Sequence, residues 1–169
     1  PDGRLASASR DNTIKIWKFV DGISVKTLKG HTDSLWYLSL LPDGRLASGS
    51  WDKTIKIWNV ADGTCEKTLN NHTGYVECLS LLPDGRMASG SLDNSIKIWN
   101  LPDGTCEETL LGHTDYPEFL SPFPDGRLAS ASRDNTIKIW KFVDGISVKT
   151  LKGHTDSLWY LSLLPDGRL

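Results

Sequence analysis

The sequence predicts an all-β chain built from one four-stranded antiparallel unit repeated four times. The turn motif Pro-Asp-Gly-Arg recurs at Pro1, Pro42, Pro83, Pro124 and Pro165, always 41 residues apart. Between these turns, short runs rich in β-branched and aromatic residues alternate with Gly-, Asp- and Asn-bearing turns, the signature of strands and hairpins. No stretch keeps helical spacing for more than a turn. Residues 1–46 and 124–169 are identical letter for letter, which marks recent duplication, design or a window on a longer array.

The second unit shows each element in order. Residues 34–41, SLWYLSLL, are apolar on both faces, as suits a strand packed between neighbouring sheets. Pro42-Asp43-Gly44 turns the chain, Pro presetting φ and Gly accepting a positive one. Residues 45–50, RLASGS, form the second strand, closed by a tight turn at Trp51-Asp52-Lys53. Residues 54–60, TIKIWNV, are β-branched and alternating, hence the third strand. After Asp62-Gly63, residues 64–69, TCEKTL, make the fourth. Lys15, Lys56, Lys97 and Lys138 recur in the IKIW run, which reads as a solvated strand face with stems lying on apolar surface.

Two places break the regularity. In the fourth unit the first strand reads YPEFLSPFP, and Pro117 and Pro122 cannot donate to a ladder. A locally weakened edge strand is expected there, with the sheet retained. The chain also starts inside a unit: residues 1–28 hold only the second, third and fourth strands, and the missing first strand stands at 153–169. The two ends read as complementary halves of one unit.

A Gly-His before each unit, a Trp late in it and a period near 40 carry a resemblance to a known family. The matching residues run from Gly30-His31 to Trp58, Asn71-His72 to Trp99 and Gly112-His113 to Trp140, each His-to-Trp gap being 27. The chain resembles the WD-repeat β-propeller family. It departs in reading Trp-Lys or Trp-Asn for Trp-Asp, and in Asn71-His72 for Gly-His. The resemblance implies one propeller unit over 1–169, with blades 30–69, 71–110 and 112–151 and a split blade formed by 1–28 and 153–169. Four blades in a closed ring would each turn about 90°, eight only about 45°, and the family usually closes at seven or eight. A two-fold homodimer completing an eight-bladed ring is therefore expected, with a four-bladed monomer or a piece of a longer array as alternatives.

His31, Ser48 and Asp52 contain the residue types of a hydrolase triad. The same set recurs as His72, Ser89, Asp93 and as His113, Ser130, Asp134, so it serves the repeat and not one cleft. The resemblance implies a hydrogen-bonded tetrad in each blade, completed by Trp58, Trp99 and Trp140. Buried imidazole, hydroxyl and indole groups all need partners. In the split blade, His154 would join Ser7, Asp11 and Trp17. The four histidines are then used up, and no catalytic residue, metal ligand or cofactor is expected.

The resemblance also implies a partner-binding face, with three positions per blade on it. These are Ser34, Trp36 and Trp51; Tyr75, Glu77 and Leu92; Tyr116, Glu118 and Arg133; and Ser157, Trp159 and Arg10. Trp, Tyr and Arg carry interface energy because they bury large area with little entropy loss. Trp51 is the most suggestive as an exposed residue, since its siblings are Arg10, Leu92 and Arg133; its plain alternative is packing between blades.

A net charge of −2 and a pI near 6.1 give no field suited to nucleic acid or an anionic membrane. No apolar run approaches the roughly 20 residues of a membrane span. The chain opens on Pro without a signal segment, as expected of a processed or excised piece. Cys65, Cys78 and Cys106 are odd in number and form no CxxC pair, pointing to small apolar strand residues in a reducing, cytoplasmic compartment. Asn71-His72-Thr73 matches a glycosylation acceptor, a pattern short enough to arise by chance. The expected function is a non-catalytic scaffold binding a protein or peptide. The alternatives are a lectin-like or small-molecule-binding propeller with repeated interblade pockets, whose avidity would suit repetitive ligands, or a designed or evolution-model propeller with no ligand.

Overall fold

The structure, a computed structural model, describes residues 3–142 and 146–164. Its N-terminal sheet holds β1 (Arg4–Ala8), β2 (Thr13–Lys18) and β3 (Ile23–Lys29). The second holds β4 (Leu35–Leu40), β5 (Leu46–Ser50), β6 (Thr54–Trp58) and β7 (Cys65–Asn70). The third holds β8 (Val76–Leu81), β9 (Met87–Ser91), β10 (Ile96–Asn100) and β11 (Thr105–Leu110). The fourth holds β12 (Pro117–Pro122), β13 (Leu128–Ser132), β14 (Ile137–Lys141) and β15 (Ile146–Leu151). Every sheet is antiparallel with its strands in chain order. The result is a propeller-like row of sheets that does not close on itself.

The turns follow their residues. Leu41 C=O accepts from Gly44 N–H at 3.0 Å across Pro42-Asp43, and Gly44 takes a φ of 86°. Asp43 then anchors Arg45 through both its main-chain N–H and its guanidinium. The third strand ends at Trp58, two residues earlier than the β-branched run suggests, because Asn59 bends the chain, its Oδ1 accepting from Ala61 N–H and its C=O from Gly63 N–H. A register shift precedes the tryptophan in every third-to-fourth strand pair, at Ile16/Trp17, Ile57/Trp58, Ile98/Trp99 and Ile139/Trp140. Such bulges re-aim a side chain.

The core lies between the sheets. β5, β9 and β13 are buried at every position, and their small residues let the next sheet approach. A methyl added to Gly49 would meet Val76 Cγ1 at 2.8 Å, and one added to Gly90 would meet Pro117 Cγ at 2.8 Å. Each contact is a first-strand residue seated in the gap left by a glycine of the sheet before. The spaces between the second, third and fourth sheets are thus filled by side chains.

Two expectations need correction. β12 is neither shortened nor interrupted: it spans six residues, as β4 and β8 do, and pairs with β13 with the same bulge after its first residue. Its sheet pairs it on one side only, so prolines there need not interrupt a ladder. Pro117 also packs into the neighbouring sheet, its C=O accepting from the Cys78 thiol. Trp51 is not an exposed side chain: it is half-buried, with a ring on either side of it.

Residues 157–164 lie against the fourth sheet without strand pairing, and Leu161 and Leu163 pack on Phe123, Ala129 and Ile139. Leu158 N–H donates to Ser132 C=O at 3.3 Å, as Leu35 N–H donates to Ser9 C=O at 3.3 Å. The segment therefore sits on the fourth sheet as β4 sits on the first. Among the described residues the N-terminal sheet stays three-stranded, and the part of the split blade assigned to 165–169 falls outside them.

The β5–β6 turn places Lys53 at a φ of 70°, where the equivalent Asn12, Asn94 and Asn135 take 64–66°. Asn tolerates the left-handed region better than Lys. Lys53→Asn is expected to stabilise the fold by roughly 0.5–1 kcal/mol in a urea titration, since exposed Lys53 loses no packing.

Candidate functional site

Three tetrads are complete. Trp58 Nε1–H donates to Ser48 Oγ at 2.8 Å, Ser48 lies 2.7 Å from His31 Nε2, and His31 Nδ1 lies 2.7 Å from Asp52. One proton order satisfies all of them: indole to hydroxyl, hydroxyl to Nε2, Nδ1–H to carboxylate. The distances are 2.8, 2.7 and 2.8 Å for Trp99, Ser89, His72 and Asp93, and 2.8, 2.6 and 2.7 Å for Trp140, Ser130, His113 and Asp134. Burial works to raise the Asp52 and Asp93 carboxyls, but bonds from the histidine and from Thr54 or Ser95 outweigh it and hold both well below the ordinary range. Burial likewise lowers His113, against the pull of Asp134, which favours the neutral ring this order requires. Ser48, Ser89 and Ser130 are fully buried, so their hydroxyls meet tryptophan and not a substrate.

The fourth set is divided. Trp17 Nε1–H reaches Ser7 Oγ at 2.9 Å and Asp11 bonds Thr13 as Asp52 bonds Thr54, but among the described residues no histidine joins them. His154 is exposed and far along the chain, with no hydrogen-bond partner among the described residues.

The twelve face residues come together at the turn end of the sheets. Main-chain bonds join Trp51 to Ser34, Leu92 to Tyr75 and Arg133 to Tyr116 at 2.9–3.1 Å. Side chains then bridge neighbouring sheets. The Arg10 guanidinium lies 5.3 Å from the Trp36 ring, Trp36 packs on Trp51 at 5.3 Å, and Trp51 stacks on Tyr75 at 5.0 Å with 9° between planes. Arg133 is ion-paired to Glu118 and lies over Tyr116 at 4.8 Å and Trp159 at 5.7 Å. Ser157 begins the C-terminal segment, its N–H bonded to Asp156. Trp36 is 45% exposed and Trp159 67%.

Glu77 is the anomalous member. Burial and the nearby Glu118 push its carboxyl up to about 7, against weaker help from Trp51 and Arg133. Trp51 Nε1 is buried without a well-formed hydrogen bond, although it lies close enough to favour the Glu77 carboxylate. Sequence reasoning missed Phe119 and Tyr160, which stack at 4.5 Å with Tyr160 exposed. Their signal was the aromatic six residues after the histidine in three of the four first strands (Tyr37, Phe119, Tyr160). Among the described residues, no group of three or more His, Cys, Asp or Glu has a metal-holding arrangement.

Two outcomes follow from this geometry. Ser89→Ala removes the shared partner of His72 and Trp99, and a loss of roughly 2–4 kcal/mol is expected in denaturant unfolding. A carboxyl whose pKa is raised on folding contributes stability below its unfolded value, near 4.5, that is lost as pH rises through about 7. Glu77→Gln should therefore raise the thermal midpoint over the parent at about pH 8 and less at about pH 5.

The profile of the family described as WD domain, G-beta repeat matches residues 1–18, 22–59, 63–100 and 104–141. A search of curated proteins finds no match. Each full match starts on the outer strand of one sheet and runs through the first three strands of the next. With its matches covering most of the chain and the tetrad geometry recurring in three sheets, the chain belongs to the WD-repeat family.

Proposed function

We propose that the chain is a non-catalytic scaffold that binds a protein or peptide on the turn-end face, and that it works as a two-fold dimer of eight blades. The observation that carries the binding reading is the pair of exposed tryptophans, Trp36 and Trp159, each held under an arginine. A tryptophan fixed before binding loses little entropy when covered, and Trp and Arg are the residue types that dominate binding energy. Glu118 is already paired with Arg133, but Glu77 beside the aromatic strip is a carboxyl that an incoming cation would ionise, so a peptide carrying an apolar side chain and a cation complements the face. WD-repeat proteins typically serve as interaction scaffolds, which agrees with this reading.

The test is panning of a random peptide library on the immobilised chain. Enrichment of sequences that pair an aromatic or aliphatic residue with Lys or Arg is expected, with binding weakened at least ten-fold by Trp36→Ala. Enrichment that survives both Trp36→Ala and Trp159→Ala would place the binding surface elsewhere.

A further inference from the structure

Trp36, Glu77 and Glu118 hold one place in three successive sheets. A register shift leaves each of them out of its ladder, between Leu35 and Tyr37, Val76 and Cys78, and Pro117 and Phe119. Such a bulge aims its side chain away from the pairing pattern, here onto the turn-end face. Glu77 and Glu118 are thus the same residue type at the same place, 41 positions apart.

Their partners differ. Glu118 is ion-paired to Arg133, whose guanidinium also lies over the Tyr116 ring at 4.8 Å. In the third sheet Tyr75 stands for Tyr116 and Glu77 for Glu118, but Leu92 stands for Arg133. Leu92 N–H donates to the Tyr75 carbonyl as Arg133 N–H donates to that of Tyr116, so the turn is kept while the cation is lost. Among the described residues Glu77 forms no ion pair. The charged and titratable groups bearing on it are Cys78 of its own strand, Tyr116 and Glu118 at the start of β12, and Arg133 of the β13–β14 turn. The one cation among these is already engaged by Glu118. From the β5–β6 turn comes the Trp51 indole, whose Nε1–H is buried without a hydrogen bond and close to the Glu77 carboxyl.

We infer that Glu77, with Tyr75 and Leu92 beside it, is the subsite that takes one arginine side chain of the bound peptide, in the place that Arg133 holds next to Glu118. This deepens the binding reading above and rests on it. Arginine suits the place better than lysine, because the sibling site shows a guanidinium paired to the carboxylate and laid over the tyrosine at once. Leu92 is shorter than arginine, uncharged and 37% exposed, and offers apolar surface to the arginine stem. The stack of Trp51 on Tyr75, with Trp36 packed on Trp51, joins the subsite to the exposed tryptophan, so one peptide reaches both. Occupation is linked to a proton. Burial first and Glu118 second raise the Glu77 carboxyl to about 7. An arriving guanidinium favours the ionised form, the carboxyl proton leaves to solvent, and the carboxylate accepts from Trp51 Nε1–H. Binding is therefore tighter above about pH 7 and weakens as falling pH protonates the carboxyl.

The probe is N-acetyl-arginine amide, with the citrulline amide as its uncharged control. The readout is the side-chain carboxyl carbon resonance of Glu77, assigned by its loss in Glu77→Gln. The arginine probe should lower the titration midpoint of that resonance and bind about ten-fold more weakly at about pH 5.5 than at about pH 7.5, while the citrulline probe leaves it unmoved. Leu92→Arg installs the residue that the sibling turns carry as Arg10 and Arg133, so the turn tolerates it. It should lower the Glu77 midpoint without any probe and weaken probe binding by roughly ten-fold, the place being filled from within. Equal binding of the two probes, binding indifferent to pH, or an affinity unchanged by Leu92→Arg overturns the inference. An arginine probe bound as expected by a chain that enriches no library peptide would keep the subsite and remove the scaffold reading. Peptides held through Trp36 with an affinity that ignores both pH and Leu92→Arg would keep the face and overturn the subsite.

Discussion

In every complete sheet one serine hydroxyl on the second strand takes the indole N–H of the third and gives its own proton to an imidazole standing before the first. The imidazole donates its Nδ1–H to an aspartate in the turn between second and third strands. Four parts of the chain are thereby fixed to one another at a point buried at the serine and tryptophan and only partly exposed at the aspartate. Inside a protein each of these groups would be costly without a partner, so the four are stable together and poor separately. The aspartate extends the reach of this hub, since Asp52 also accepts from the main chain of Thr32, ahead of the first strand, and of Thr54, at the start of the third. Strand order, turn conformation and the entry of the next unit all depend on the same few bonds.

The N-terminal sheet separates the local part of the hub from its distant part. Trp17 and Ser7 belong to one hairpin, ten residues apart, and their bond forms there as in the complete sheets. In the complete sheets the histidine stands just before the first strand, and among the described residues the N-terminal sheet pairs only its other three strands. Asp11 keeps the hairpin bonds to Thr13 that Asp52 makes to Thr54, and these hold its carboxyl below the ordinary range. Hairpin contacts carry a small loop-closure cost and form wherever the sequence is present; contacts between sheets need the neighbour in place.

Much of this was legible in the letters. The 41-residue period, the turn chemistry and the β-branched runs place nearly every strand within two residues, because each depends on local preference. The tetrad residues were legible for another reason: a polar set repeated at constant spacing implies a shared structural need. What stayed hidden depends on how one sheet meets the next. Trp51 differs from its siblings and so looked free to bind, but the adjacent Tyr75 and Trp36 enclose it. Pro117 looked disruptive even on an edge strand, whereas β12 pairs in the register of its siblings and Gly90 leaves room for the ring. The raised pKa of Glu77 comes from burial and, after it, from Glu118, 41 positions away, and no pattern within one unit announces either.

The family's repeat and the sheet are out of phase by one strand, and this offset explains how the row is held. A repeat such as 22–59 contributes β3 to one sheet and β4 to β6 to the next, so each covalent unit fastens two sheets. The interfaces repeat that division: Lys26 on β3 reaches across to the Ala61 carbonyl of the second sheet, and Lys67 on β7 to the Pro102 carbonyl of the third. The same phase means that no sheet is held only by its own hairpins, since each is tied through the chain and through lysine side chains to the one beside it. Residues 5–9 and 128–132 share the letters LASAS, yet the second set is buried throughout and Leu5 is 58% exposed. The letters fix the strand, and its burial comes from the sheets and strands packed around it.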